Sequence, residues 1–153
     1  MKKFVLSILA AISVLSVGLV YFSQSSKTHA IASEIVVYQS RTCGCCKKWV
    51  GHLKDNGFKV RSEFVEDVTD VKLKMDLPMK LASCHTAVVN GYVVEGHVPA
   101  KAIKNMLSEK PLIKGIAVPG MPMGSPGMEG SHSEAYDVIA FGKNGEEKVF
   151  MNF

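Results

Sequence analysis

The chain has 153 residues, with 18 basic and 14 acidic side chains and a formal net charge of +4. Lys2, Lys3 and Lys27 belong to an N-terminal segment that reads as an export signal and contains no acid, so the remainder stands at 15 basic against 14 acidic residues. That balance gives no electrostatic support to nucleic-acid binding, and the 121 residues after Ala32 suffice for one compact domain and hardly for two.

The opening stretch, MKKFVLSILAAISVLSVGLVYFSQSSKTHAIAS, places two lysines before an uncharged apolar run from Phe4 to Phe22. A polar segment follows, then Ala30 and Ala32, spaced like a signal-peptidase site. Residues 1–32 are therefore expected to be a signal peptide cleaved after Ala30 or Ala32, leaving a domain over 33–153 outside the cytoplasm. An apolar run of about 18 residues or more can also span a bilayer. A membrane is expected as a partner only if this segment stays uncleaved as an anchor.

Next comes EIVVYQS (34–40), a short β-branched run that reads as a buried strand. The cysteine-rich RTCGCC leads into CKKWVGHLKDNGF, whose Trp49, Val50 and Leu53 fall at helical spacing, with Asn56-Gly57 as the stop. KVRSEFVE (59–66) alternates like a second strand. DVTDVKLKMDL (67–77) reads as a helix capped by Asp67 or Asp70. HTAVVNGYVVEGHV (85–98) is a hairpin about Asn90-Gly91, and PAKAIKNMLSE (99–109) is a helix with Pro99 near its first turn.

Residues 111–134, PLIKGIAVPGMPMGSPGMEGSHSE, contain four prolines and five glycines and fit no regular element, so a long Met/Pro/Gly-rich loop is expected there. AYDVIAFGKNGEEKVFMNF closes the chain as a hairpin turning at Asn144-Gly145. Strand, cysteine motif, helix, strand, helix, hairpin and helix is the order of a thioredoxin-like α+β sandwich, a mixed sheet with helices on both faces.

Four cysteines, Cys43, Cys45, Cys46 and Cys84, first suggest two disulfides in an exported chain. Bridging Cys43 to Cys46 closes almost no loop, however, and stabilisation grows with loop length. These thiols are placed for chemistry. A helix N-terminus favours thiolate, which suits a redox nucleophile and a metal ligand equally. Cys43 and Cys46 form a C-x-x-C pair; Cys45 is superfluous to two-thiol redox chemistry. In thioredoxin-like enzymes a cis-proline facing the pair usually precedes the third strand, and LASCHTAVV puts Cys84 near that place.

Structural zinc normally takes two separated ligand pairs, whereas three thiols in C-x-C-C order do not easily converge on one ion. They converge on several ions if each sulfur bridges two. Cu(I) is soft and accepts thiolate and thioether, and four Cu(I) ions would neutralise four thiolates. A polynuclear Cu(I) site follows, with Met121, Met123 and Met128 as thioether candidates, although methionines also serve merely as gap fillers. His97 is a further candidate ligand, against its reading as an exposed or capping residue. His85 is another, but adjacent strand residues face opposite sides, so it joins Cys84 only on irregular backbone. His132 could complete a Met/His site on the loop, suited to copper changing oxidation state. His52 reads as a surface residue, and His29 leaves with the signal.

CGCCKKWVGHL, SCHTAVVNGYVVEGHVPA and GIAVPGMPMGSPGME, in that order, resemble the CopG family of small exported bacterial copper-resistance proteins. The resemblance runs from about Glu34 to the C-terminus. It implies a thioredoxin-like fold, a periplasmic location and a multi-copper centre bound by Cys43, Cys45, Cys46 and Cys84 with methionine and histidine help. The expected function is copper binding for resistance, by sequestration of Cu(I) or by its interconversion with Cu(II). Copper ions are the expected partners, and a periplasmic redox protein or efflux pump fits such a role. The alternative is a thiol–disulfide oxidoreductase, with Cys43 as nucleophile and Cys46 resolving.

Overall fold

The computed structural model describes residues 34–153; the expected signal peptide, its cleavage site and His29 lie outside them. Among the described residues no helix is long and apolar enough to cross a membrane. The elements are β1 (Ile35–Gln39), α1 (Gly44–Asp55), β2 (Val60–Phe64), α2 (Val68–Lys74), a 3-10 turn (Met79–Leu81), β3 (Thr86–Val89), β4 (Tyr92–Glu95), α3 (Ala100–Glu109), β5 (Gly115–Ala117), β6 (Asp137–Phe141) and β7 (Glu147–Asn152). The fold is thus α+β, with seven strands in one mixed sheet ordered β2-β1-β3-β4-β5-β6-β7. β1 runs parallel to β2 and β4 parallel to β5, while the other neighbours are antiparallel.

Strand alternation sorts the core onto two faces. Ile35, Val37, Ala87, Val94, Ile116 and Val138 point to one side, where Trp49, Val50 and Leu53 of α1 and Ile103 and Met106 of α3 complete the main core. Val93, Ala117 and Phe141 point to the other, against Leu77 and Leu81 around the 3-10 turn. α2 sits on that second side. Its Lys72 is buried, with Nζ 2.6 Å from Glu95 Oε1 and 2.9 Å from Thr86 Oγ1.

Asp67 is the cap of α2, its carboxylate accepting from Thr69 N at 2.7 Å, as the sequence suggests. Asn90 and Gly91 both take positive φ, 49° and 82°, the twist a two-residue hairpin turn requires. Two elements depart from expectation. The 3-10 turn was not anticipated, and the stretch 111–134 is not wholly irregular, because β5 lies within it and pairs with β4 over Val93–Glu95. Three residues carry no readable periodicity; tertiary docking makes this strand. Gly115 permits the approach, since a Cβ there would come 2.8 Å from the Val93 carbonyl carbon and 2.9 Å from Phe141 Cζ.

Candidate metal centre

The site lies where β1 hands over to α1. Cys43 is the helix N-cap, with extended backbone, and its Sγ accepts from Cys46 N at 3.3 Å. Helical turn geometry brings Cys43 and Cys46 onto one side, and they are joined as a disulfide. Cys45 projects toward the same space as a free thiol, its Sγ 3.5 Å from Cys43 Sγ. α1 is anchored at its middle, where the Trp49 indole N–H donates to Val98 O at 2.9 Å.

Cys84 arrives from the segment before β3. Its Sγ lies 3.6 Å from Cys46 Sγ and 4.0 Å from Cys45 Sγ. The four cysteine sulfurs lie within 4.8 Å of one another, an arrangement able to hold metal. Ser83 fixes this segment: its N–H donates to Glu95 Oε1 at 2.6 Å and its hydroxyl to Gly120 O at 2.5 Å. No peptide bond in the described residues is cis.

Cys84 and His85 both precede the first residue of β3, so they escape the alternation that would send them to opposite faces. His85 Nδ1 lies 3.3 Å from Cys84 Sγ, and its ring is wedged between Trp49 and His97, with centroids 4.3 Å and 5.0 Å away. His97 reaches the same sulfur, with Nε2 at 3.1 Å. Its Nδ1 is 2.8 Å from the Pro126 carbonyl, which only accepts, so Nδ1 carries the proton and the neutral ring aims an Nε2 lone pair at Cys84.

Burial governs the ionisation of all three. Desolvation, reinforced by Cys45, pushes the Cys84 thiol up to about 12. Desolvation drives His85 down to about 3, helped by the charges of His97 and Lys72. His97 is lowered by the same cause, against the Pro126 carbonyl and Glu129. At neutral pH the pocket therefore holds two uncharged imidazoles around a protonated thiol.

The loop beyond β5 covers the site through its backbone. Gly127 (φ 89°) lies so close to α1 that a Cβ would come 2.7 Å from Cys45 O and 3.0 Å from Trp49 N. Met121 is exposed, Met123 directs its methyl end against Gly130, and Met128 is half-buried beside the contact. His132 is exposed farther along. His52 departs from its expected surface role: it is half-buried, and its Nε2 accepts from Ala100 N at 3.0 Å, tying α1 to the start of α3. That contact had no local signal, since its partner lies 48 residues away.

The family model described as a protein of unknown function, DUF411, matches residues 81–128, the span from Cys84 through the covering loop. No curated protein matches the chain. Among solved structures, form 2 of the copper resistance protein CopG is 44% identical, with a TM-score of 0.75, over 79% of this chain and 98% of that one. Form 1 is 45% identical, with a TM-score of 0.74, over 78% of this chain and 96% of that one.

Proposed function

The chain belongs to the family of the copper resistance protein CopG, and from that premise we propose that it is a periplasmic copper-binding protein that assembles a cysteine-bridged, multinuclear Cu(I) cluster. The observation that carries this reading is the convergence of four cysteine sulfurs within 4.8 Å. A two-thiol redox site needs neither Cys45 nor Cys84, and a single tetrahedral ion does not favour three thiols in C-x-C-C order. Soft Cu(I) accepts bridging thiolates, and each thiolate loses its proton on binding. The domain is 33–153, on a thioredoxin-like scaffold, a reading favoured by parallel β1 and β2 beside antiparallel β3 and β4. His85, His97 and at least one thioether of the loop carrying Met121, Met123 and Met128 supply the remaining ligands, and residues 1–32 direct export.

The Cys43–Cys46 disulfide bears on mechanism. Closing it from two thiols releases two protons and two electrons, which two Cu(II) ions accept to become Cu(I). Reopening it requires two electrons from a thiol or a redox protein. Cu(I) binding and disulfide closure thus compete for the same thiolates, and the role in resistance is to sequester Cu(I) or to interconvert the two ions. The same disulfide favours a second reading, a thiol–disulfide oxidoreductase with Cys43 as nucleophile.

An anaerobic Cu(I) titration of the reduced protein against a competing chelator, with copper counted by elemental analysis, separates the two. Several ions per chain are expected, with Cys84→Ser lowering that number while the fold persists. One ion or none, with rapid thiol exchange at Cys43, would assign the site to disulfide chemistry.

A further inference from the structure

The pocket lies on the α1 side of the sheet, yet the segment that carries Cys84 and His85 is fastened from the opposite side. Glu95 on β4 is the register partner of Thr86 on β3, and both are fully buried. One carboxylate oxygen of Glu95 accepts from Ser83 N at 2.6 Å and the other from the Thr86 hydroxyl at 2.7 Å. Ser83 and Thr86 are the residues immediately before and after Cys84-His85. A single carboxylate therefore holds both ends of that dipeptide. Gly96 N adds a tie to His85 O at 3.1 Å. No proline stiffens the chain between Pro78 and Pro99, so the irregular backbone at 84–85 relies on such ties.

Lys72 completes the arrangement from α2, with Nζ 2.6 Å from Glu95 Oε1 and 2.9 Å from Thr86 Oγ1. Packing alone does not call for a charged pair here. Glu95 faces Ala117 of the second apolar core across the β4–β5 register, and apolar residues in place of a buried ion pair often give equal or greater stability. What an apolar side chain cannot do is accept hydrogen bonds from two residues at once.

We propose that Glu95, with its charge balanced by Lys72, is a positioning residue of the metal centre. It fixes Cys84 and His85 in the irregular conformation that brings both side chains into the pocket. This rests on the reading of the pocket as a copper site and extends it to residues that touch no metal.

Two double variants of equal charge separate positioning from packing. Lys72→Met/Glu95→Gln keeps an oxygen for Ser83 N and an amide N–H for Thr86 Oγ1, whereas Lys72→Met/Glu95→Leu keeps neither. Each is made in Cys45→Ser protein with the Cys43–Cys46 disulfide closed, where Cys84 is the one remaining free thiol. Alkylation of Cys84 by iodoacetamide, without metal, then reports how often the segment opens. The Leu variant should react at least about tenfold faster than the Gln variant, the scale set by losing a hydrogen bond that restrains local opening. That ratio should exceed the ratio for hydrogen exchange of the β1 amides, which report opening of the whole sheet. With Cys45 restored and the protein reduced, the Leu variant should also bind Cu(I) more weakly than the Gln variant, by a similar factor. Equal alkylation rates, a ratio no larger than that of β1 exchange, or equal Cu(I) affinities would each overturn the proposal. If the Leu variant does not fold, Thr86→Val, which removes one anchor and leaves the ion pair, is compared with the parent by the same criteria. A parent protein that takes up no Cu(I) would refute the copper reading, and the alkylation comparison would still decide the role of Glu95.

Discussion

His85 and His97 hold their charge state through burial, and that makes the metal-free protein sensitive to acid. His85 faces Trp49 from α1, His97 from the turn after β4, Cys84 from its own segment and the Lys72 charge from α2, and Glu129 lies near His97. Both imidazoles have folded-state values below 6.5, so between there and about 3 the unfolded chain binds protons that the folded chain refuses. Stability is fully present above pH 6.5 and is lost as pH falls. Urea titrations of metal-free protein should show the unfolding midpoint dropping steadily from pH 7 to pH 4, with the slope reduced in His85→Phe. A flat profile would mean that His85 is protonated in the fold. At this scale the cysteines and both histidines that meet in the pocket could be marked in the sequence as candidates, because their residue types announce the chemistry. It did not disclose the irregular backbone that joins Cys84 to His85, nor the bond from Ala100 N to His52, since both depend on contacts made only after folding.

An element can be legible while its most important side chain is not. α2 was readable from its Asp67 cap, but a lysine in a polar, seven-residue helix carries no mark of burial, and Lys72 is nonetheless inside. It is 2.6 Å from Glu95, whose carboxylate also holds Ser83 N and accepts from the Thr86 hydroxyl at 2.7 Å. Glu95 therefore connects α2 through β4 to the residue preceding Cys84. Removing one partner of a buried pair strands the other charge, at a cost of roughly 3–5 kcal/mol. Lys72→Met should destabilise the protein by about that amount in denaturant titrations, with Glu95→Gln in the same background restoring part of it. An effect below about 1 kcal/mol, the range of exposed pairs, would show that water reaches the pair. The covering loop behaves in the same way: its glycines and prolines showed irregular backbone, but neither three-residue β5 nor the seating of Gly127 on α1 had a local signal.

For the molecule as a whole, the order of strands and helices was open to reading, because each long element has its own periodicity and stop signal. The pairing of β4 with β5, which extends the sheet toward the C-terminal hairpin, was not. That extension matters for function, since the chain leaving β5 is the segment that returns over Cys45 and presents Pro126 to His97. Sheet, helix start and loop therefore meet at one pocket whose donor set depends on a single covalent bond. Reduced, the pocket offers four thiols; closed, it retains Cys45 and Cys84. A ligand that binds only the folded state stabilises it by about 2.7 kcal/mol at a free concentration 100 times Kd, which for a domain of this size is roughly 10 °C in Tm. Cu(I) at that excess over the affinity of the reduced protein should raise its Tm by about that much. The disulfide-closed protein, with half its thiols committed, should show a much smaller rise under identical anaerobic conditions. Equal shifts would mean that Cys43 and Cys46 contribute no binding energy, and copper loading would then be independent of the disulfide. Unequal shifts would make the thiol oxidation state the control on how tightly the protein holds Cu(I).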